Sequence, residues 1–327
     1  MKNRKKIIKH TQSKYGIRPE ALEFPIMCVL SFVYVCNAHC QNCPYTNSKI
    51  RRDYKDRPFM LENTFKMIAD QCGEYGAWIR LSGGGEPMLH PKAMGLIEYA
   101  KKAGAKIGLI TNGSLFTEKS SQRLLESQID MIEFSVDAAD PTTYRKVRRG
   151  LKWSVLLKNV RRIVNLRNKM KSRTKIIASG VNQIGVDIDK VEKFWSPMVD
   201  NFQKRKYLTW GITNPVRSAD PKPYLPLDKH IPCPFLFERL NIDSRGRVMV
   251  CGFDIAANTN MGNVHEKSIK EIWHGEGFEY FRRMHLSSRG NEIKICRNCP
   301  DWKYRSWKHN YWKLVKSAEK RRREILK

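Results

Sequence analysis

Cys36, Cys40 and Cys43 can do more chemistry than any other stretch of this chain. In the run Cys36-Asn-Ala-His-Cys40-Gln-Asn-Cys43, a C-x3-C-x2-C spacing puts three thiols within eight residues. One loop of that length can wrap a single metal centre. Structural zinc is closed by four ligands and an iron–sulfur cubane is usually held by four thiolates, so three thiols leave one metal position for a substrate or cofactor. A zinc knuckle that recruits His39 as fourth ligand is the alternative. A second set, Cys233, Cys251 and the pair Cys296-x2-Cys299, supplies four thiols and could close a site unaided. Four-cysteine zinc ribbons use comparable pairs, so zinc is the competing reading there too. Of nine cysteines only Cys28 and Cys72 fall outside the two sets. That economy points to metal ligation in a reducing compartment rather than to disulfides.

Such ligands need a rigid frame, and the hydrophobic pattern supplies one. Apolar, β-branched runs at Phe24–Val35, Ala77–Leu81, Lys106–Ile110, Met131–Val136, Lys175–Ser179 and Tyr207–Gly211 read as buried strands. Between them, helical spacing predicts helices over Leu61–Tyr75, Pro91–Ala103, Glu118–Ser127, Trp153–Lys171 and Asp187–Val199. Strand–helix alternation of this kind implies a parallel sheet, doubly wound or curled into a barrel, with its chemistry at the carboxyl ends of the strands. The polar motifs obey that rule. The cysteine loop follows the first strand, Gly83-Gly84-Gly85-Glu86 the second, Thr111-Asn112-Gly113 the third, and Ser135-Val-Asp137 ends the fourth. Consecutive glycines let backbone approach a ligand, and Glu86 places a carboxylate where an ammonium group could be held.

The loop and these motifs together resemble the radical S-adenosylmethionine (SAM) enzymes. The resemblance implies that Cys36, Cys40 and Cys43 hold a [4Fe–4S] cluster whose fourth iron is chelated by the methionine moiety of SAM. One departure is Asn42, which stands where many members carry an aromatic residue; Tyr45 lies just beyond. By the same resemblance Gly84, Gly85 and Glu86 would meet the SAM amino group, Asn112, Ser135 and Asp137 its ribose and carboxylate, and Arg149 the methionine carboxylate. The implied fold is α/β, a partial (βα)6 TIM-type barrel with a small C-terminal β-hairpin/helix iron–sulfur domain. For the latter, Cys233, Gly246-x4-Cys251, Asn263–Trp273, Cys296 and Cys299 resemble the SPASM/twitch domain of relatives. No cysteine follows Cys299, so one auxiliary [4Fe–4S] cluster is expected, and two clusters in all. The expected division is a basic segment 1–23, the barrel 24–215, the auxiliary domain 230–303 and a basic aromatic helix 304–327.

Radical SAM chemistry, as the resemblance implies it, begins when one electron cleaves SAM to methionine and a 5′-deoxyadenosyl radical, which abstracts hydrogen from an unactivated C–H bond. A fully ligated auxiliary cluster suits electron transfer, which favours dehydrogenation of the substrate. Epimerisation is the rival outcome and would need a hydrogen donor, for which Cys28 is the candidate. Maturation of a ribosomal peptide or protein is a further alternative, and a zinc protein binding nucleic acid is the non-enzymatic one.

Net charge narrows the partners. The formal charge is +29, and about half of the excess sits at the ends: seven basic and no acidic residues in 1–18, and ten basic against two acidic in 303–327. Such a field favours an anionic substrate, of small-molecule or glycan type, and peripheral contact with an acidic membrane or polyanion; nucleic acid is a weaker expectation. An electron donor such as flavodoxin or ferredoxin is implied by the family chemistry. No apolar run has the length of a membrane span and no signal-peptide core follows Met1, so a cytoplasmic location is expected.

Overall fold

The computed structural model describes residues 19–46, 52–207, 232–255, 257–297, 299 and 311–326. Nine strands form one sheet: β1 (Met27–Leu30), β2 (Trp78–Leu81), β3 (Lys106–Thr111), β4 (Met131–Ser135), β5 (Lys175–Asn182), β6 (Asn201–Lys206), β7 (Arg239–Ile242), β8 (Arg247–Met249) and β9 (Gly262–Asn263). Their spatial order is β6-β5-β4-β3-β2-β1-β7-β8-β9. The first six run parallel in sequence order, the parallel sheet that the alternation implies, open as the resemblance to partial barrels implies.

The sheet does not stop where the barrel pattern ends. β7 adds beside β1 in parallel, Val29 opposite Asn241, and β8 and β9 continue antiparallel. The hairpin that carries Cys251 is thus hydrogen-bonded to the barrel itself, because the Met27–Leu30 edge has a free row of backbone donors and acceptors that a seventh strand can satisfy.

Helices Glu62–Glu74, Ala93–Lys102, Glu118–Glu126, Trp153–Lys169 and Ile188–Trp195 follow the expected spacing. One more, Pro141–Val147, was not expected. Its start signal was nonetheless present: Asp140 caps it by accepting from the Thr143 amide at 2.9 Å, with proline at the first turn. The sixth strand also differs, lying at Asn201–Lys206 rather than at 207–211, of which 208–211 fall outside the described residues. The reason is pairing: all six of its residues register with Ile177–Asn182 on β5, although only Phe202 is buried and the stretch is otherwise polar. Apolarity misleads at an edge strand.

Strand alternation splits the core in two. Cys28, Leu30, Ile79 and Leu81 face the helices in the main cluster, whereas Met27, Trp78, Met131 and Ile177 pack with Cys233, Phe281 and Met284. This second cluster fuses the barrel interior to the auxiliary cysteines. Each such buried side chain contributes about 1.5–3 kcal/mol. The C-terminal helix, Tyr311–Leu326, supports the same region. Ala318 joins the second cluster, Arg322 donates to the Ser172 carbonyl at 2.7 Å, and Arg321 to that of Ser196 at 2.9 Å. The expected aromatic start of this tail, 304–310, lies outside the described residues. Among the described residues no helix is long and apolar enough to cross a membrane.

Candidate active site

Past β1 the chain runs on as the cysteine loop, and neighbouring turns hold it. His39 N donates to the Arg149 carbonyl at 2.8 Å and Gln41 N to that of Val147 at 3.0 Å, so the end of helix Pro141–Val147 fixes the loop. Gly150, at φ +88°, is needed there: a Cβ would lie 3.1 Å from the Asn37 carbonyl oxygen. Cys36, Cys40 and Cys43 all line one cavity of about 350 Å³. Burial pushes the Cys43 thiol up to about 12, with Cys40 and Cys36 adding to it, and burial raises Cys36 too. Three thiols on one cavity, two of them, Cys36 and Cys43, costly to ionise alone, are the donor set that a bound cation relieves. His39 is exposed and does not line the cavity, which removes it from the zinc-knuckle reading.

The glycine run passes directly beneath. A Cβ on Gly84 would sit 2.1 Å from the Val33 oxygen and one on Gly85 1.9 Å from that of Val35, so only glycine lets the two backbones meet. Glu86 then enters the cavity wall fully buried. Oε1 accepts from Thr111 Oγ1 at 2.7 Å and from the Met88 amide at 3.1 Å; Oε2 accepts from the Asn112 amide at 2.7 Å. Burial raises its pKa against those donors. Asn112 donates through Nδ2 to Asn37 Oδ1 at 2.9 Å, tying the third motif to the cysteine loop. Gly84, Gly85, Glu86, Asn112 and Ser135 all line the cavity.

Three expected site residues are elsewhere. Arg149 is exposed, its Nε donating to the Lys146 carbonyl at 3.3 Å, and Arg148 lines the cavity in its stead. The helix Pro141–Val147 ends at that point, and its last turn rotates the first arginine inward and the second outward. Arg148 Nη1 lies 3.4 Å from Cys40 Sγ and Nη2 2.7 Å from Asp137 Oδ2. Asp137 does not line the cavity: it is fully buried in a left-handed backbone conformation, φ +51°, accepts from the Val181 amide at 2.8 Å and holds Arg148. Cys28 is likewise turned away, since β1 alternation puts it among the helices. There it hydrogen-bonds with Cys72, both fully buried. Neither thiol reaches the cavity.

Sequence reasoning missed several cavity residues. Arg80, Arg205, Lys206 and Arg239 line it, as do Asn241 and the stretch Gly252–Ile255 that follows Cys251. A signal was there for Arg80 and for Glu133, the carboxylate it pairs with: in Trp-Ile-Arg-Leu and Met-Ile-Glu-Phe-Ser they are charged residues inside apolar strands, where an inward polar role justifies them. Tyr45, near the place where an aromatic residue was expected, lines the cavity as well.

Cys233, Cys251, Cys296 and Cys299 gather at the second cluster, and burial, then the neighbouring thiols Cys233, Cys251 and Cys299, raise the Cys296 pKa. Among the described residues no three His, Cys, Asp or Glu side chains converge tightly enough for a single metal ion. A cubane spreads its thiolates over four separate irons, a wider set.

The family description for the Radical SAM superfamily matches residues 30–193, half of the chain. The chain belongs to the radical SAM superfamily. A second description, the SPASM iron–sulfur cluster-binding domain, matches residues 233–300. As a radical SAM enzyme with a SPASM domain, its cofactors are SAM and two [4Fe–4S] clusters. The chain is 23% identical to a tungsten-containing aldehyde ferredoxin oxidoreductase cofactor-modifying protein of Pyrococcus furiosus, over 76% of this chain and 80% of that protein. It is 32% identical to a probable GTP 3′,8-cyclase of Methanococcus maripaludis over 37% of this chain, and 20% identical to a PqqA peptide cyclase of Streptomyces rochei over 59%. Those matches span only 39% and 52% of the two relatives. In fold the chain is similar to Streptococcus suis SuiB, solved with its precursor peptide SuiA (TM-score 0.66, 16% identity, 96% of this chain and 77% of that one). It is similar also to BtrN, solved with AdoMet and 2-DOIA (TM-score 0.56, 19% identity, 84% and 92%).

Proposed function

We propose that this radical SAM enzyme dehydrogenates a small, anionic, hydroxylated substrate, a sugar or nucleotide derivative, bound in the cavity between the two cysteine sets. One observation carries the reading: Cys36, Cys40 and Cys43 line the same cavity as Gly252–Ile255, the stretch that follows Cys251 of the second set. A substrate there would meet the first set's thiols and lie beside the chain that leads on from Cys251. The arginines and Lys206 on the wall support an anion. The GTP cyclases that the chain resembles act, as their name says, on an anionic hydroxylated molecule.

In this reading Cys36, Cys40 and Cys43 hold the SAM-binding cluster and Cys233, Cys251, Cys296 and Cys299 the auxiliary one. Bound together, cluster and SAM supply the electron and the hydrogen-abstracting radical of the family. The chain's own residues do the rest. Gly84 and Gly85 expose backbone to SAM, and Glu86, with acceptor capacity left on Oε2, receives its ammonium group. Asn112 and Ser135 offer polar contacts to the nucleoside, and Arg148, aimed by Asp137, meets the carboxylate. Cys28 and Cys72, shut away behind β1, cannot return hydrogen to a substrate radical, which disfavours thiol-mediated epimerisation. Flavodoxin or ferredoxin is the expected electron partner, and the barrel 24–215 and the auxiliary unit 230–303 are the proposed domains.

The test is product analysis in D2O with reconstituted protein, SAM, a low-potential reductant and a panel of sugar phosphates and nucleotides. The expected product is lighter by one H2 and carries no solvent deuterium. An isomer of the substrate made heavier only by one deuterium from solvent means epimerisation and overturns the reading.

A further inference from the structure

Below the cysteine loop the inner face of the sheet carries a polar layer that no motif announces. Arg80 on β2, Glu133 on β4 and Arg205 on β6 converge there. Gly108 stands in register beside Arg80 on the intervening β3, and its missing side chain leaves room for the guanidinium to cross, Nη2 to Glu133 Oε2 at 3.4 Å. Arg205 meets the other oxygen, Oε1, through Nε at 3.1 Å and through Nη2. Burial pushes the Glu133 carboxyl up, but Arg205 and Arg80 outweigh it and hold the group below the usual carboxylate range. One carboxylate is therefore shared by two guanidiniums, and both arginines line the cavity.

Asn241 is an independent observation. It lines the same cavity from β7, only 5% exposed, and flanks Val29 opposite Arg80, since Val29 registers with both. Among the described residues its Nδ2 has no hydrogen-bond partner. A buried donor left unmade is costly, and an acceptor supplied from the cavity would satisfy it.

We propose that Arg205 and Arg80, held by Glu133, bind a carboxylate or phosphate group of the substrate, while Asn241 donates to an oxygen of the same molecule. This rests on the cavity being the substrate site. It also orients the substrate: the anion sits against the sheet, one residue short of the end of β1, and the C–H bond to be attacked points up to the cysteine loop. Arg205 and Asn241 are then specificity residues.

Calorimetric titration of anaerobically reconstituted protein with inorganic phosphate and, separately, with acetate at fixed ionic strength tests this. One saturable site is expected, and the tighter anion identifies the group. Arg205→Gln is expected to weaken it about tenfold, the loss of one charge-assisted contact. Lys119→Gln, on an exposed helix face, is expected to change nothing. Should Arg205→Gln fold poorly, Arg205→Lys, which keeps the charge and loses the fork, is expected to fall between. Equal binding by wild type and Arg205→Gln overturns the proposal. SAM cleavage without substrate, assayed on the same samples, separates the failures. Cleavage with no anion site overturns this inference alone; an anion site with no cleavage overturns the radical reading alone.

Discussion

The two cysteine sets are held in opposite ways. The first lies within eight residues of one loop, fixed by backbone bonds such as His39 N to the Arg149 carbonyl and open to a cavity. The second is drawn from three separate stretches around Cys233, Cys251 and Cys296–Cys299, and sits in apolar packing shared with Met27, Trp78 and Met131. The difference teaches where a ligand set gets its precision. A contiguous set needs only a few backbone bonds to a neighbouring turn, and it can leave a metal position free for SAM. A dispersed set needs the fold, because the β7–β1 pairing and the second cluster must form before its thiols meet. The first set is therefore expected to fail in chemistry when altered, and the second in chemistry and stability together.

Replacing Cys36, Cys40 and Cys43 together by alanine has the largest expected effect. Reductive formation of 5′-deoxyadenosine should fall to background, a loss of ~10⁶-fold or more on the scale of enzymic acceleration, with iron dropping from about eight to about four per chain and the fold intact by circular dichroism. Loss of the fold instead would make the rim set structural and erase the contrast. Next comes Arg148→Met, which leaves Asp137 buried without its partner. A destabilisation of about 3–5 kcal/mol in denaturant titrations is expected, together with weaker SAM binding. If only stability changes, Arg148 does not meet SAM. Gly85→Ala follows: the added Cβ meets the Val35 oxygen, and overpacking of this kind costs about 1–3 kcal/mol. Its expected signature is a lowered melting temperature together with impaired cluster uptake.

The outer helices mark the zero end of the scale. Glu62 is held down to about 2 by hydrogen bonds from Lys66 and Lys92, then by their charges. A depressed carboxylate stabilises above its ordinary range and loses that contribution as pH falls towards 2. The group is exposed and solvent-screened, so Glu62→Gln should leave the melting temperature at neutral pH and about 0.15 M salt within error and leave SAM cleavage untouched. A clear drop would mean that the helix face matters more than either cysteine set's surroundings suggest.

What could be read without a structure follows the same division. The rim motifs were legible because each is contiguous and sits where a strand ends: Cys36–Cys43, Gly83–Glu86, Asn112 and Ser135 all reach one cavity. Choosing between Arg148 and Arg149 was not possible from spacing, since a single backbone rotation at the end of helix Pro141–Val147 decides which one turns inward. Asp137, expected at a ligand contact, is paired with Arg148 and does not line the cavity. The polar layer of Arg80, Glu133 and Arg205 depends on register across β2, β4 and β6, which no local pattern encodes. The placement of β6 failed for a related reason, its stability coming from backbone pairing with β5 rather than from apolar side chains.

The most direct test of the division of labour is a Cys296→Ser/Cys299→Ser double variant, reconstituted anaerobically and assayed for iron content and for reductive 5′-deoxyadenosine formation. About four irons per chain with SAM cleavage retained and substrate oxidation lost is the expected result. A folded variant that keeps about eight irons, or one that no longer cleaves SAM at all, would contradict the account.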